Sequence, residues 1–422
     1  MARQCSRTDG VSDMSISADR ESRSILHISH DACYGCGACA ATCPQSCIKM
    51  KPDAEGFLHP TIEQDACIAC GRCLQHCPAS HTPSAQISKS PRKSFVAVSS
   101  NRDDLERCTS GGIVYELSRQ FLETTPNGSV IGCALGPGQR VMHVSISKID
   151  ELVRLQGSKY VQSDMREAYD YIEHAIRSGN KVLFIGTPCQ THAIKLVFST
   201  ESVLTVDLFC HGVPSPLFWE HEVKHLIKRG FEPQRAWLFR LTSRHMRYRY
   251  ALCDSGENAI DYYCDPYYSL FMNSSSLRES CYTCPYASVG RTGDISVGDC
   301  GTADAYPSFP LSTPLSSVLI NTSRGEALFS SLFERGSIKV HPLDLEREVS
   351  SNKALFKPAM RPKDRDNVYR DLISLDYRKF SSRHMPRVSP IFRFKEFLKG
   401  NLSARAFYSL KHPIQSIRNN FE

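Results

Sequence analysis

Eight cysteines in two copies of one spacing constrain this chain more than any other feature. Cys33, Cys36, Cys39 and Cys43 precede Pro44, and Cys67, Cys70, Cys73 and Cys77 precede Pro78, so each run reads C-x2-C-x2-C-x3-C-P. Spacing this close lets a tight loop wrap three corners of a cubic iron-sulfur cluster, and the proline ends the loop as the chain turns away. In the bacterial two-cluster pattern the fourth cysteine of each run serves the other cluster. The expected sets are therefore Cys33, Cys36, Cys39 with Cys77, and Cys67, Cys70, Cys73 with Cys43, for two 4Fe-4S clusters. Gly35, Gly37 and Gly71 suit backbone packed against sulfide, which needs room and unusual dihedrals. The competing reading is a zinc site or disulfides. Zinc takes four ligands from two short pairs rather than from two matched runs of four. Cys47, one turn past the first run, reads as a small packed thiol.

A chain of 422 residues with 41% apolar content suggests two or three domains with ordinary cores. Nineteen cysteines would imply disulfides in a secreted protein. Residues 1–29, however, read as a polar leader without the apolar core of a signal peptide, which places the chain in a reducing cytoplasm. No run approaches the roughly 18 to 20 apolar residues of a membrane span, so any membrane contact is expected to be peripheral. The net charge of +7 is localised: residues 353–422 hold 16 Lys and Arg against 6 Asp and Glu, a balance of +10 that leaves the remainder at −3. The basic character belongs to a tail and does not argue for nucleic acid.

The cysteine module spans 30–82, with a turn at Asp53 to Gly56 between its halves, and a Ser/Pro/Lys-rich linker follows at 83–93. A first strand is expected at Ile25 to Ile28. From Phe95 onward strands alternate with helices. Strands are expected at 95–98, 129–135, 181–185, 203–209, 294–297, 317–321 and 338–341, and helices at 111–122, 165–177, from Cys189, 217–228 and 325–334. The expected fold is an α/β body over 94–345, a mixed sheet flanked by helices, behind a small α+β ferredoxin module. Residues 346–422 read as a basic C-terminal tail. Within it Ile391 to Lys399 groups Phe392, Phe394, Phe397 and Leu398 among basic residues. Such a helix either covers the body or lies on an anionic membrane.

Four further cysteines sit where chemistry is plausible. Cys189 follows one buried strand, in Gly186-Thr187-Pro188-Cys189-Gln190, and Cys210 follows the next, in Leu208-Phe209-Cys210-His211-Gly212. Ligands in open α/β sheets bind at the carboxyl ends of strands. Cys281 and Cys284 add a C-x2-C, and together the four suffice for a third cluster. Read alone, Cys189 and Cys210 serve equally as buried inert thiols. Cys5, Cys108, Cys133, Cys253, Cys264 and Cys300 receive no ligand role.

These motifs, with Thr109-Ser110-Gly111-Gly112-Ile113-Val114, Gly157-Ser158-Lys159-Tyr160-Val161, Cys210-His211-Gly212-Val213-Pro214-Ser215 and Asp294-Ile295-Ser296-Val297-Gly298-Asp299, resemble the beta subunits of coenzyme F420 hydrogenases and dehydrogenases, in the subclass with an N-terminal two-cluster ferredoxin module. The resemblance covers about 30–345. It implies a 4Fe-4S cluster on Cys189, Cys210, Cys281 and Cys284 beside a flavin, FAD or FMN. It also implies a flavin site that includes Thr109, Ser110, Gly111, Gly112, Lys159, Tyr160 and Thr187. A helix opening at Gly111-Gly112 offers free N–H groups and a positive dipole to phosphate, and Lys159 can add charge there; the same glycines also make an ordinary tight turn. A departure is Gly298-Asp299-Cys300-Gly301, where relatives often carry an aromatic residue. Arg240, Arg244, His245, Arg247 and Arg249 read either as an anion site or as a solvated strand face.

The expected function is an iron-sulfur flavoprotein oxidoreductase exchanging electrons between a small organic substrate or deazaflavin and a redox partner protein or ferredoxin. No catalytic acid or base is expected. The alternative is a non-catalytic electron-transfer subunit of a larger complex.

Overall fold

The computed structural model describes residues 23–81, 90–231, 251–253, 259–310 and 312–401. The expected anion segment at 240–250 therefore lies outside the described residues, as do Cys5 and most of the linker.

The module is two pseudo-repeats. Each cysteine loop runs into a short helix, α1 (Ala38–Ala41) and α2 (Arg72–Gln75), started by a left-handed glycine, and a hairpin of β1 (Ile48–Pro52) and β2 (Leu58–Ile62) packs beside them. Only Cys39, Cys47, Ile48, Met50, Cys73 and Cys77 with Ile25 make its buried cluster, a small core for so short a segment. Ile25 is a correction to the expected leader. The stretch from 25 to 27 is a single 3-10 turn capped by Ser24, not a strand, and it is buried in the module core.

The body is built on one eight-stranded sheet. In chain order come β3 (Lys93–Ser99), α3 (Arg102–Glu106), α4 (Ile113–Thr124), β4 (Ser129–Leu135), β5 (Val141–Ile146), α5 (Arg166–Arg177), β6 (Val182–Gly186), α6 (Pro188–Val197), β7 (Val203–Leu208) and α7 (Pro216–Lys228). A small hairpin of β8 (Ala251–Cys253) and β9 (Ala259–Asp261), helix α8 (Pro266–Met272), β10 (Ile295–Asp299), β11 (Ser316–Ile320), α9 (Ser323–Glu334) and β12 (Ile338–Pro342) follow. The strand order is β12-β3-β11-β10-β7-β6-β4-β5. The central four, β10, β7, β6 and β4, are parallel, and the flanking pairs are antiparallel. The mixed α/β sheet was legible from the alternation of elements, apart from the edge strand β5. The Gly136-Pro137-Gly138 turn does separate it from β4, but its mixed run of apolar, His and Ser residues lacks the continuous apolar character of the central strands. Continuously apolar strands such as β6, all five residues buried, sit where helices cover both faces.

Residues after β12 are not a detached tail. Helices α10 (Leu345–Ser351), α11 (Arg365–Ser374) and α12 (Tyr377–His384) pack onto the body, and Val368, Tyr369, Leu372 and Phe380 are fully buried with Phe218, Trp219, Tyr267 and Tyr268 in one apolar cluster. The boundary expected at 346 is thus corrected: Arg370, Arg378, Lys379 and Arg383 lie on the solvent faces of these helices, Arg365 is buried, and the apolar stripes face inward. The last described helix, α13 (Pro390–Asn401), matches the expected amphipathic segment. Among the described residues no helix is long and apolar enough to cross a membrane.

Candidate redox centre

The thiols gather into three sets. Cys33, Cys36, Cys39 and Cys77 lie together: burial raises the Cys36 and Cys39 thiols, and the neighbouring thiols of this set raise them further. Cys33 differs from its mates. Burial works against ionisation there, but hydrogen bonding from His59, the charge of Arg278 and the Gly35 amide at 3.3 Å bring its thiol below the usual range. Cys43, Cys67, Cys70 and Cys73 line a small pocket, with Cys47 beside them. The Cys47 sulfur is 3.4 Å from that of Cys43, and burial pushes its thiol up to about 12. Cys70 is exposed there. The crossing of the fourth cysteine between runs is what the two half-loops produce when they pack as a pair.

The third set sits at the carboxyl ends of β6 and β7. Thr187 caps α6 through a reciprocal box with Gln190, and its hydroxyl lies 3.2 Å from the Cys189 sulfur. Cys210 follows β7, and Cys281 and Cys284 approach from the loop after α8. All four are linked electrostatically: burial raises Cys281 well above the thiol range, and Cys210, Cys284 and Cys189 add to it. Burial with neighbouring thiols also pushes Cys210 up to about 12 and Cys284 up to about 11. Four free thiols converging without a disulfide fit a site whose ligands become thiolates only when metal is bound. The adjoining loop is held by a fully buried pair, Arg291 to Asp207 at 2.7 Å, whose second carboxylate oxygen accepts the Thr292 and Gly293 amides at 3.1 and 2.6 Å.

Between the first and third sets stand two tyrosines that the spacing alone did not reveal. Tyr34 comes from the first cysteine run and Tyr286 from the loop after Cys284; their rings meet edge to face at 5.7 Å. Burial raises both phenols, and both feel Cys36 on one side and Cys189 and Cys284 on the other. His192 of α6 holds the Tyr286 hydroxyl at 2.7 Å. The module docks through Tyr169, whose hydroxyl donates to the Cys36 carbonyl at 3.0 Å, and Gln162, whose amide donates to the Tyr34 carbonyl at 3.1 Å. Gly35 is pinned here with φ at +64°, and a Cβ would fall 2.3 Å from the Gln162 amide nitrogen, so no larger residue fits. Arg365 of α11 closes the joint from the other side with a two-oxygen pair to Glu55 of the module and a contact to Glu279 at 3.1 Å.

Of the residues expected at a flavin, the structure brings two loops together: the Thr109 and Ser158 hydroxyls lie 2.9 Å apart. Ser110 and Gly111 are fixed on Ser316, at 3.0 Å each, and Gly112, in the left-handed region at φ +78°, opens α4 with no side-chain cap. That leaves a helix N-terminus without a side-chain partner, which suits a phosphate. Tyr160 stacks on Phe271 at 4.5 Å. The Lys159 ammonium donates to the Arg154, Leu155 and Gln156 carbonyls at 3.3, 3.1 and 2.8 Å. Burial lowers it to about 8, and all three donors serve to cap the preceding 3-10 helix.

Two thiol sets in a ferredoxin-like module packed on an α/β body mark an iron-sulfur redox protein. Residues 179–346 match the family model for the C terminus of the coenzyme F420 hydrogenase/dehydrogenase beta subunit, and residues 32–81 match a 4Fe-4S dicluster domain. The F component of the F(420)H(2) dehydrogenase of Methanosarcina mazei is similar, 23% identical over 75% of this chain and 86% of its own length. An uncharacterized protein of Methanocaldococcus jannaschii is 25% identical over 72% of this chain and 88% of its own. A chain of the F420-reducing NiFe hydrogenase complex from Methanosarcina barkeri superposes with a TM-score of 0.43 at 20% identity, covering 62% of this chain and 90% of that one.

Proposed function

We propose that this protein is a flavin-dependent iron-sulfur oxidoreductase that exchanges electrons between an organic hydride carrier and a redox partner protein such as a ferredoxin. The carrying observation is the spatial order of the thiol sets: an outer set open to solvent, an inner set buried at the joint, and a body set at the ends of β6 and β7, with Tyr34 and Tyr286 between the last two. FAD or FMN would supply two-electron hydride chemistry, and 4Fe-4S clusters on the three sets would carry single electrons. In this reading the free amides at Gly112 receive phosphate, Thr109 and Ser158 hold the two loops in register, and Tyr160 offers a ring surface fixed by Phe271. Thr187 and Gln190 set the direction of Cys189. The names of the relatives make a deazaflavin the first carrier to try, and a small organic substrate the second.

A second reading, a non-catalytic electron-transfer subunit, draws support from Lys159, whose donors are spent within the protein. Anaerobically reconstituted protein separates the two. The oxidoreductase binds flavin and about twelve irons, the content of three cubes. Protein with two cubes and no flavin sinks it. Stopped-flow bleaching of the flavin by reduced deazaflavin or by reduced ferredoxin then sets the direction of flow.

A further inference from the structure

Arg278 is 3% exposed, and its guanidinium has no carboxylate within 4.0 Å among the described residues. Its partners are the Cys33 carbonyl at 2.6 Å, the Gln162 amide oxygen at 3.1 Å, the Leu58 carbonyl at 3.1 Å and the His59 ring nitrogen at 2.8 Å. The other deeply buried arginines are treated differently: Arg291 has Asp207, and Arg365 has Glu55. A buried cation without a counter-ion is costly, so a fold that keeps one places an anion nearby in its working state. The Asp53 carboxylate, beyond His59, is taken up by His30, His59 and the Glu55 and Phe57 amides, so the anions left to face the guanidinium are thiolates. Arg278 is tied to both thiol sets: its side chain donates to the carbonyl of Cys33 in the inner set, and its own carbonyl accepts the amide of Cys281 in the body set at 2.9 Å.

We propose that Arg278 is the shared counter-cation of the inner and body clusters, a positioning residue that holds module and body together around them and raises both reduction potentials. The shared role rests on the reading of Cys189, Cys210, Cys281 and Cys284 as cluster ligands. Each one-electron reduction adds one negative charge inside an unchanged set of thiolates, and a fixed positive charge in a low-dielectric joint favours the more negative form. The outer set lies away from this charge, at an exposed cysteine where water screens it. Electrons entering from the outer set would therefore run inward toward higher potential. His30, Asp53 and His59 also converge as possible metal ligands, but the guanidinium faces the His59 nitrogen that a metal would need.

The test is an EPR-monitored redox titration at one pH, on full-length reconstituted protein, with a soluble reductant and mediators as electron source. Arg278→Gln should lower the inner and body potentials and leave the outer one in place, and Arg278→Lys should stay near wild type. Gln162→Glu keeps the arginine and sets a carboxylate against it at the 3.1 Å contact, so it should lower the same two potentials even where the arginine variants fail to fold. Variants with full iron whose three potentials stay put, or all move alike, overturn the proposal. Wild-type protein with iron for only two cubes overturns the shared role through the body cluster, and the inner-set shift then still decides the contact at Cys33.

Discussion

Asp207 is the penultimate residue of β7, three residues before Cys210, and its carboxylate is divided between Arg291, the Thr292 hydroxyl and two backbone amides with nothing left for solvent. Asp207→Ala leaves a buried guanidinium unpaired and should cost about 3 to 5 kcal/mol in anaerobic urea unfolding. A loss within experimental error would show that the loop relaxes to hydrate Arg291. Glu222 and Asp265 pose the opposite case, two carboxyls buried side by side with Tyr377 donating to Glu222. Burial raises both acids, Glu222 well above its ordinary range and Asp265 from 3.8 up to about 6. The folded protein thus holds protons that the unfolded chain releases, so stability falls as pH rises from about 4 through about 6. Glu222→Gln removes one of the two buried acids that hold a proton and should flatten that slope in urea midpoints measured across the window. An unchanged slope would place its origin elsewhere.

At the scale of elements, the C-terminal helices are where charge composition misleads. Chains ending after residue 344 should fail to accumulate as folded protein, because Val368, Tyr369, Leu372 and Phe380 would leave the apolar cluster and Arg365 would release Glu55. Chains ending after 386 should keep their fold and iron. Equal yields of both would restore the detached tail. Helix α13 is different in kind. Phe392 touches Tyr263 with ring centroids 5.5 Å apart, while Ile391, Phe394 and Phe397 are 69%, 61% and 60% exposed, with Arg393 and Lys395 between them in the sequence. An apolar arc bordered by basic residues suits an anionic lipid surface. Flotation with phosphatidylserine vesicles should carry the intact protein and lose it in Phe394→Asp. Absence of binding at low salt would leave the helix to a protein partner.

At the scale of the whole molecule, the joint between module and body decides which thiol set of the module lies against the body. The inner set is the nearer to the body and the outer set faces solvent. On the proposed function, Cys70→Ser should spare flavin reduction by an organic donor while cutting transfer to an external acceptor, and Cys189→Ser should remove about four irons and uncouple the flavin from both remaining cubes. Should Cys70→Ser abolish flavin reduction with flavin still bound, electrons enter through the outer end and the enzyme works as a ferredoxin-driven reductase.

The cysteine runs were readable because their spacing is a local property: a cube needs ligands a few bonds apart, and chain connectivity alone supplies three of the four. Alternation of apolar strands with amphipathic helices likewise carried the mixed sheet, since each element must bury one face or two whatever its neighbours are. Tertiary packing decided the rest. Arg278, Tyr34, Tyr286 and Gln162 carry no motif, and their importance arises only when the module lies against the body, where burial turns an ordinary arginine into an uncompensated charge. Lys159 lies in a motif that suggested a ligand contact, and only the packing shows its ammonium on three carbonyls. The helices after 344 looked like a tail because net charge counts side chains without regard to which face they occupy, and the face is settled only by what packs against it.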